Sequence, residues 1–185
     1  MGKRVSEITP ELQCFIEEQA VFFVASAPLS SQGHVNVSPK GLDTFRVLGP
    51  RQVAYLDLTG SGNETAAHVM ENERLTIMFC AFSGRPQIVR LYCQARVVAH
   101  SSKEWPGLIE QFPNYPGRRQ VIVGDIEFVL TSCGYAVPEM KFVSQRESLV
   151  RWAENKGDEG LVEYRRVQNR MSIDALEAPV IDTSE

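Results

Sequence analysis

The residues with the clearest capacity for ligand chemistry lie in a glycine-rich turn within YLDLTGSGNETAAHV, residues 55–69. Gly60 and Gly62 allow the backbone to turn its N–H groups towards a ligand, because glycine adopts conformations closed to other residues. A predicted helix begins directly after the turn, and the unpaired N–H groups and dipole of a helix start attract anions. The segment therefore predicts a binding site for an anionic group such as a phosphate.

The turn fits neither of the common nucleotide-binding fingerprints. A Rossmann turn requires G-x-G-x-x-G, and Thr65 stands where the third glycine belongs. A Walker A loop requires a lysine that this turn lacks. A purely structural interpretation is also open, since Ser61 and Glu64 match the S-x-x-E capping box that starts many helices. From these residues alone, helix capping and phosphate binding both stand as hypotheses.

Two basic residues in neighbouring segments bear on this choice. Lys40 ends a predicted strand in VNVSPKG, where it is either a surface turn residue or the cation that the glycine turn lacks. Arg90 stands in the middle of another predicted strand, where a charge is costly unless it is paired. We expect Arg90 either to neutralise a buried carboxylate or to contact the anion of a ligand.

Hydrophobic periodicity predicts the elements that position these residues. The predicted strands are 21–26, 34–38, 52–57, 75–82, 87–100 and 120–132, and the predicted helices are 9–19, 63–72, 105–112 and 146–169, the last broken near Gly157 and Gly160. The strand at 87–100 has an apolar and a half-polar face, so its second face meets a cavity, solvent or another subunit. The pattern lacks βαβα alternation, which disfavours a parallel doubly wound sheet. About six strands in short antiparallel connections, with long two-faced members, favour a closed barrel over a sandwich.

The composition argues against several classes of partner. The 185 residues carry a net charge of -4, whereas nucleic-acid-binding proteins usually carry a basic excess. No apolar run approaches the roughly 18 residues of a membrane helix, and no signal-peptide pattern is visible. The four cysteines lack C-x-x-C spacing, which argues against a zinc site and favours a reducing compartment. We therefore expect a cytoplasmic protein that binds neither nucleic acid nor membrane, and no metal site.

Several segments, in this order, resemble one protein family. The segments are VNVSPKG, DLTGSGNETAAH, RLYCQARVV and TSCGYAVP, and together they are similar to the FMN-binding split-barrel family related to pyridoxamine 5'-phosphate oxidase. The resemblance implies a mainly β fold with α, a six-stranded antiparallel split barrel with short peripheral helices and a helical C-terminal segment. It further implies a homodimer with FMN at the interface and a small-molecule substrate.

The sequence pattern and the resemblance together divide the chain into regions. The length and the 43% hydrophobic content predict a single domain over residues 1–185, and the resemblance places the split-barrel core at about 12–140. A helical extension at about 145–170 and a flexible tail at 174–185 follow the core.

The resemblance places residues from five segments around FMN. They are Val37, Ser38, Lys40, Asp57, Leu58, Thr59, Gly62, Asn63, Glu64, Thr65, Arg90 and Tyr135. The second predicted strand would run beside the flavin, the end of the third along the isoalloxazine ring, and the turn would hold the phosphate. Arg90 would lie near the ring or the phosphate, and Tyr135 would reach the flavin of the partner subunit. No catalytic residue is predicted, because the flavin itself supplies the redox step.

The resemblance implies an FMN-dependent oxidoreductase acting on an unidentified small molecule. The oxidases of the family carry an Arg-Lys pair in the phosphate turn, whereas this turn has Asn63, Glu64 and Thr65. This departure argues against oxidation of a vitamin B6 phosphate. The alternatives are a flavin-binding or storage module without turnover, a split barrel that uses deazaflavin or haem, and a dimeric interaction protein whose site has decayed.

Overall fold

A computed structural model describes residues 2–179 of the chain. Its eight strands are β1 (Lys3–Val5), β2 (Phe22–Ser26), β3 (Asn36–Lys40), β4 (Phe45–Gly49), β5 (Gln52–Leu58), β6 (Arg74–Cys80), β7 (Ile88–Val98) and β8 (Arg118–Ser132). Its four helices are α1 (Pro10–Glu17), α2 (Glu64–Asn72), α3 (Trp105–Ile109) and α4 (Ser148–Gln168). The predicted helices and six strands are all present, with ends shifted by a few residues.

The strands form one antiparallel sheet in the order β3-β2-β6-β7-β8-β5-β4, and β1 pairs with β8. The sheet rolls up, because Phe22 of β2 and Phe45 of β4 bring their rings to 5.1 Å although five positions separate these strands in the order. The two edge strands, β3 and β4, close the roll without pairing to each other, and this gap is the split of the barrel. The predicted mainly β class and split-barrel fold are confirmed.

Two strands are present that the sequence pattern did not predict. β1 has three residues and pairs with the far end of β8, from Lys3 opposite Thr131 to Val5 opposite Val129. β4 has five residues, forms a hairpin with β5, and contains a register shift between Val47 and Gly49. Both are short, and β4 lies between the turn residues Gly41 and Pro50, so their alternating pattern spans too few residues to stand out.

Alternating side chains of the strands fill the inside of the roll. Val24, Tyr55, Ile77, Leu91 and Ile122 are at most 1% exposed and belong to one cluster with the apolar residues of α1. A second cluster packs α3 against the outer side of β5 and β8. The core therefore fixes the positions of β3 and β5, whose ends carry the polar residues described below.

The outer face of the sheet presents two rows of half-exposed to exposed side chains. Strand register places Val37, Ala25, Thr76, Tyr92 and Phe128 side by side in one row. It places Phe23, Met78, Arg90, Leu130 and Arg4 side by side in the next row. The half-polar face of the long predicted strand thus belongs to a broad outer surface of mixed apolar and basic character.

The C-terminal region returns to the barrel after a long connection. α4 is interrupted at Gly157, whose φ of 67° and ψ of 169° are non-helical, so the predicted break is confirmed there. After α4 the chain forms a small turn closed by a bridge between Met171 and Glu177, and Ala178 is buried. Residues 180–185 of the predicted flexible tail lie outside the described residues. Within residues 2–179, no helix has the length and apolarity needed to span a membrane.

Candidate functional site

The glycine turn joins β5 to α2 at one end of the barrel. α2 begins at Glu64, with Asn63 as its N-cap, and the Asn63 side chain does not cap the helix. The capping-box interpretation, which needed Ser61 as the cap, is therefore wrong. The Glu64 carboxylate instead accepts the backbone N–H of Ile173 at 3.1 and 3.3 Å. The acid in the turn is thus engaged by the segment after α4 rather than by its own helix.

A cleft of about 300 Å³ lies between β3 and the glycine turn. Its lining comes from β3, the end of β5, the turn and the start of β8, namely Asn36, Ser38, Pro39, Lys40, Asp57, Leu58, Gly60, Ser61, Gly62, Asn63, Glu64, Thr65 and Arg119. The cleft occupies the split of the barrel, because β3 is an edge strand and β5 lies on the other side. Most of the residues predicted around a ligand therefore lie together in one cleft.

The floor of the cleft is a buried ion network centred on Asp57. Lys40 Nζ donates to Asp57 Oδ1 at 2.8 Å across the split. Arg119 donates to Asp57 Oδ2 through Nε at 3.1 Å and Nη2 at 2.7 Å, and Gln120 Nε2 donates to the same oxygen at 2.8 Å. Two cations and one carboxylate leave this network with one positive charge, so it favours an anionic ligand.

These partners determine the ionisation of Asp57, which is 3% exposed. Burial alone would raise the pKa of the carboxyl, but the charges of Arg119 and Lys40 outweigh burial and hold the pKa well below its usual value. Asp57 is therefore a carboxylate throughout the neutral range. It orients Lys40 and Arg119 and has no proton to donate.

Lys40 is the cation of the network with donors to spare. Its ammonium group has three N–H donors, of which one is engaged by Asp57. Its side chain is 25% exposed and lines the cleft, so Lys40 is not a surface turn residue. The structure thus brings the predicted cation to the glycine turn.

Arg119 is the main site residue that the sequence did not reveal. The register of β5 against β8 shifts between Asp57, opposite Gln120, and Leu58, opposite Arg118. The shift leaves Arg119 as an extra residue in β8, and such a bulge re-aims side chains. Arg119 and Gln120, adjacent in sequence, therefore both reach Asp57, which strict alternation along a strand forbids. The only available signal was the Arg118-Arg119 pair at the start of a predicted strand.

The helix start offers further donors to an anion. The hydrogen-bond ladder of α2 begins with the bond from Ala67 N–H to Asn63 O at 3.2 Å. The N–H groups of the first helical residues before Ala67 therefore have no partner within the helix. The side chain of Asn63 donates nothing through Nδ2, which is buried and without a hydrogen-bond partner, while its Oδ1 accepts from Gln120. A buried donor left unpaired costs free energy, so its presence beside a cleft indicates a place for an acceptor.

Residues from the end of α4 hold the glycine turn from behind. Asn169, 2% exposed, accepts from Arg119 Nη1 at 2.8 Å and donates from Nδ2 to Gly60 O at 3.1 Å. Arg165, 7% exposed, donates from Nε to Thr59 Oγ1 at 2.9 Å. Sequence reasoning missed both residues, because each contact with the turn joins positions more than 100 apart in the chain.

Four of the predicted residues do not line the cleft. Val37 is 60% exposed and points to the outer face of β3, and Thr59 is buried behind the turn, where it donates to Gly117 O. Arg90 lies in the outer face, where Nη1 donates to Ser132 Oγ at 3.0 Å. Within residues 2–179, Arg90 forms no ion pair with a buried carboxylate, which was one of its two expected roles. Tyr135 is 84% exposed in the connection that follows β8.

The histidines and cysteines form no additional centre in the described part of the chain. His68 is buried with Nδ1 3.0 Å from Ser26 Oγ, and His34 bonds Asp174. Cys14 and Cys133 are exposed, Cys80 and Cys93 buried, and all four are free. Within residues 2–179 no group of three or more His, Cys, Asp or Glu is placed to hold a metal ion.

A larger cavity, of about 570 Å³, lies at the mouth of the barrel near α1. Its walls include the core rings of Phe22, Phe45 and Phe79, and its one basic side chain, Arg46, is bonded to Asp43. It lacks the unpaired donors that gather around the glycine turn. The smaller cleft is therefore the better candidate for a polar ligand.

Comparison with known proteins agrees with this architecture. The family model described as pyridoxamine 5'-phosphate oxidase matches residues 8–133, which include seven of the strands and every residue that lines the cleft. The pyridoxamine 5'-phosphate oxidase family protein ustO of Aspergillus flavus is 38% identical over 188 residues, covering 91% of this chain and 74% of ustO.

Two solved structures share the fold. A single-residue variant of HupZ from Group A Streptococcus superposes with a TM-score of 0.52 at 19% identity, over 68% of this chain and 99% of HupZ. A pyridoxamine 5'-phosphate oxidase candidate from Lactobacillus delbrueckii gives a TM-score of 0.50 at 20% identity, over 68% of this chain and 94% of its own. At these identities the likeness concerns the fold alone.

Proposed function

The chain belongs to the pyridoxamine 5'-phosphate oxidase family, and from this premise we propose that it binds FMN in the cleft between β3 and the glycine turn and acts as an FMN-dependent oxidoreductase. The observation that carries the proposal is that Lys40 and Asn63, which both line this cleft, have donors to spare. Asn63 Nδ2 is buried and has no hydrogen-bond partner, Lys40 Nζ has donors beyond the one that Asp57 accepts, and both residues line a cleft whose Asp57 network carries one net positive charge. These groups suit a phosphate, which needs both charge and several donors.

The residues of the cleft divide into those that would touch the phosphate and those that hold them. Lys40 and Asn63 would donate to it directly, and the hydroxyl groups of Ser38 and Ser61 line the same space. Arg119 contributes charge from behind, because its Nε, Nη1 and Nη2 atoms are already bonded to Asp57, Gly62 O and Asn169. Bound FMN would supply the redox chemistry, and the protein would supply position and electrostatic environment.

The size of the cleft favours a site completed by a second chain. A volume of about 300 Å³ is at the lower end of the range for ligand pockets, roughly 300–1,000 Å³. A cleft of this size would accommodate the phosphate end of FMN and leave the ring outside. We propose a homodimer in which the outer face of the sheet pairs with its copy and the flavin lies at the interface. Tyr135, exposed beyond β8, is available to contact the flavin of the partner subunit.

The turn residues argue for a substrate other than a vitamin B6 phosphate. In place of an Arg-Lys pair the turn has Asn63 and Glu64, and Glu64 is bound to the Ile173 N–H. The charge that would hold FMN comes instead from Lys40 and Arg119. We propose a small molecule of another class as the substrate. The free state of all four cysteines supports a reducing compartment such as the cytoplasm.

A flavin-binding module without turnover is the second candidate, and Asp57 is the observation that favours it. Asp57 is the buried carboxylate of the cleft, and Lys40 and Arg119 hold it ionised and fully engaged. It therefore has no proton to exchange with a substrate at neutral pH. An oxidoreductase would depend on hydride or electron transfer through the flavin alone.

The visible spectrum of the purified protein tests the proposal. A flavin gives two characteristic absorption bands and haem gives one sharp, intense band, so the spectrum separates these cofactors. Titration with FMN, with riboflavin as a matched ligand that lacks the phosphate, then tests the cleft. We expect FMN to bind more tightly than riboflavin. A colourless protein that binds neither compound contradicts the proposal. Equal affinity for FMN and riboflavin shows that the cleft does not bind the phosphate.

Reduction of the bound flavin separates an enzyme from a carrier. Stopped-flow mixing with NADH or NADPH gives rapid loss of the flavin absorbance in an oxidoreductase that uses these donors. Reoxidation by a substrate then completes the turnover. A bound flavin that neither NADH nor NADPH reduces supports a carrier. A reduced flavin that no tested substrate reoxidises also supports a carrier.

A further inference from the structure

We infer that residues 165–174 form a clasp that holds the two walls of the cleft at a fixed separation, with Asn169 and Asp174 as its positioning residues. One wall is β3, and the other is the glycine turn with the start of α2. The inference deepens the proposed function, on which it depends for the identity of the ligand. The clasp lies beyond residues 8–133, the segment that matches the family model.

The clasp is fixed to the glycine turn at three points. Arg165 bonds the Thr59 hydroxyl, and Asn169 bonds both Gly60 O and the guanidinium of Arg119. Further along, the N–H of Ile173 donates to the carboxylate of Glu64 at the first position of α2. Arg165 and Asn169 are at most 7% exposed, so these are interior contacts rather than surface associations.

The clasp reaches the opposite wall through Asp174. Its Oδ2 accepts the backbone N–H of His34 at 2.8 Å, and its Oδ1 lies 2.7 Å from His34 Nδ1. His34 stands two residues before β3. Gly33 permits this approach, because a Cβ there would lie 3.1 Å from Asp174 Oδ2 and 2.3 Å from Pro28 Cγ. The same short segment thus holds both sides of the split.

These contacts explain how the cleft keeps its shape although β3 and β5 are not paired strands. Lys40 and Asp57 bridge the floor of the split, and the clasp bridges its end. Asn169 acts through Gly60 and Arg119 and does not line the cleft. It is therefore a positioning residue, and its loss should loosen the turn before any ligand is present.

The test compares Asn169→Ala with Glu163→Gln, an exposed change on the same helix that affects only the surface pair with Arg166. Backbone order parameters of Gly60, Ser61 and Gly62 are measured by ¹⁵N relaxation without ligand. We expect values near the rigid limit of about 0.85 in the wild type and the control, and values below about 0.6 in Asn169→Ala. Unchanged order in Asn169→Ala overturns the inference.

Ligand binding provides the second readout. Loss of the Asn169 bonds should raise the dissociation constant of FMN about tenfold, as expected for a hydrogen bond to a buried charged group. Because both walls depend on one clasp, the double variant Asn169→Ala/Asp174→Ala should bind no more weakly than the weaker single variant. If the losses of FMN binding free energy in the two single variants add in full in the double variant, the contacts are independent and the clasp is overturned.

The two proposals fail in different ways. A wild type that binds no flavin but whose turn loosens in Asn169→Ala contradicts the proposed function and supports the clasp. A wild type that binds FMN, with a turn that stays rigid in Asn169→Ala, supports the function and contradicts the clasp. If Asn169→Ala does not fold, Asp174→Ala carries the test at the other wall, through the order parameters of residues 34–38.

Discussion

Asp57 organises the cleft at the scale of single residues. A lone carboxylate at 3% exposure would be too costly to keep ionised, but four donor atoms from Lys40, Arg119 and Gln120 surround it. In return, the carboxylate holds the two cations close together in spite of their mutual repulsion. The position of Lys40, the proposed phosphate ligand, therefore depends on an acid that would not touch the phosphate.

Substitution of Lys40 tests its direct role. Lys40→Ala should raise the dissociation constant of FMN by roughly tenfold to a hundredfold, since bonds to charged groups contribute about 1.5–3 kcal/mol. The affinity for riboflavin should change little, because riboflavin lacks the phosphate. Isothermal titration measures both constants, with Lys141→Ala at an exposed position as the control. An unchanged FMN constant in Lys40→Ala removes this residue from the site.

Substitution of Asp57 tests the ion network. Asp57→Asn retains the shape but leaves Arg119 buried without its counter-charge, and we expect it to lower the free energy of unfolding by about 3–5 kcal/mol at pH 7. Urea denaturation measures the change. Glu139→Gln, at an exposed position, is the control and should leave the stability unchanged.

The pH dependence of the same variant gives a second test. The folded-state pKa of Asp57 lies below its ordinary value of 3.8, so its stabilising contribution is complete above about pH 5 and is lost as the pH falls below 4. Asp57→Asn lacks this contribution. The stability difference between wild type and variant should therefore be constant from pH 7 to about pH 5 and shrink at lower pH. A difference that grows on acidification contradicts the assignment.

At the scale of elements, local departures from regular geometry bring the site together. The bulge in β8 turns Arg119 towards Asp57, and the interruption of α4 at Gly157 divides that helix before its end reaches the glycine turn. Without the bulge, β8 would not turn Arg119 towards Asp57, and without the interruption, α4 would not bring Arg165 to the glycine turn. The site thus depends on two irregular positions in otherwise regular elements.

The break in α4 can be tested with a pair of glycines. Gly157 has φ 67° and ψ 169°, a region that only glycine adopts readily, so Gly157→Ala should destabilise the protein by about 1–3 kcal/mol. Gly160 lies three residues on in helical conformation, and a Cβ there meets Lys156 at an ordinary 3.6 Å. Gly160→Ala should therefore stabilise the protein by about 0.5–1 kcal/mol. Thermal unfolding measures the stability of both variants. A change of the same sign and size in the two variants would contradict this explanation.

The same irregular positions mark where prediction from the sequence succeeded and failed. Lys40 and the glycine turn were predictable, because each follows directly from a strand or helix signal in its own segment. Arg119 was not, since a bulge reverses the face that alternation assigns to it. Asn169 was not, because its partners lie 50 and 109 residues away, and a single sequence carries no signal for such contacts. β4 was missed because five residues give too short a pattern.

At the scale of the whole molecule, the outer face of the sheet is the surface best suited to a partner chain. Its two rows carry Tyr92 and Phe128, whose rings stack at 4.6 Å, and the guanidinium of Arg4 lies 3.8 Å over the Phe128 ring. Half-exposed aromatic and arginine side chains are enriched in protein interfaces. The face adjoins β3, so an interface here would place the partner beside the cleft.

A charge at this face tests the proposed dimer. We expect the wild type to run at twice the mass of one chain in light scattering and Tyr92→Glu to run as a monomer, because an unpaired charge is costly inside an interface. The monomer should also bind FMN more weakly, since half of the ring site would be lost. Val167→Glu, at an exposed position of α4, makes the same charge change elsewhere and should remain dimeric. A Tyr92→Glu dimer with unchanged FMN affinity contradicts the proposal.

The clasp has a consequence for the biosynthesis of the protein. Glu64 and Ile173 are 109 residues apart, which a ribosome translates in roughly 5–20 s. During that interval the glycine turn has been made, while the residues that hold it have not. Until residues 165–174 are made, the cleft lacks the contacts of the clasp, so on the proposed function tight binding of a flavin would follow their synthesis.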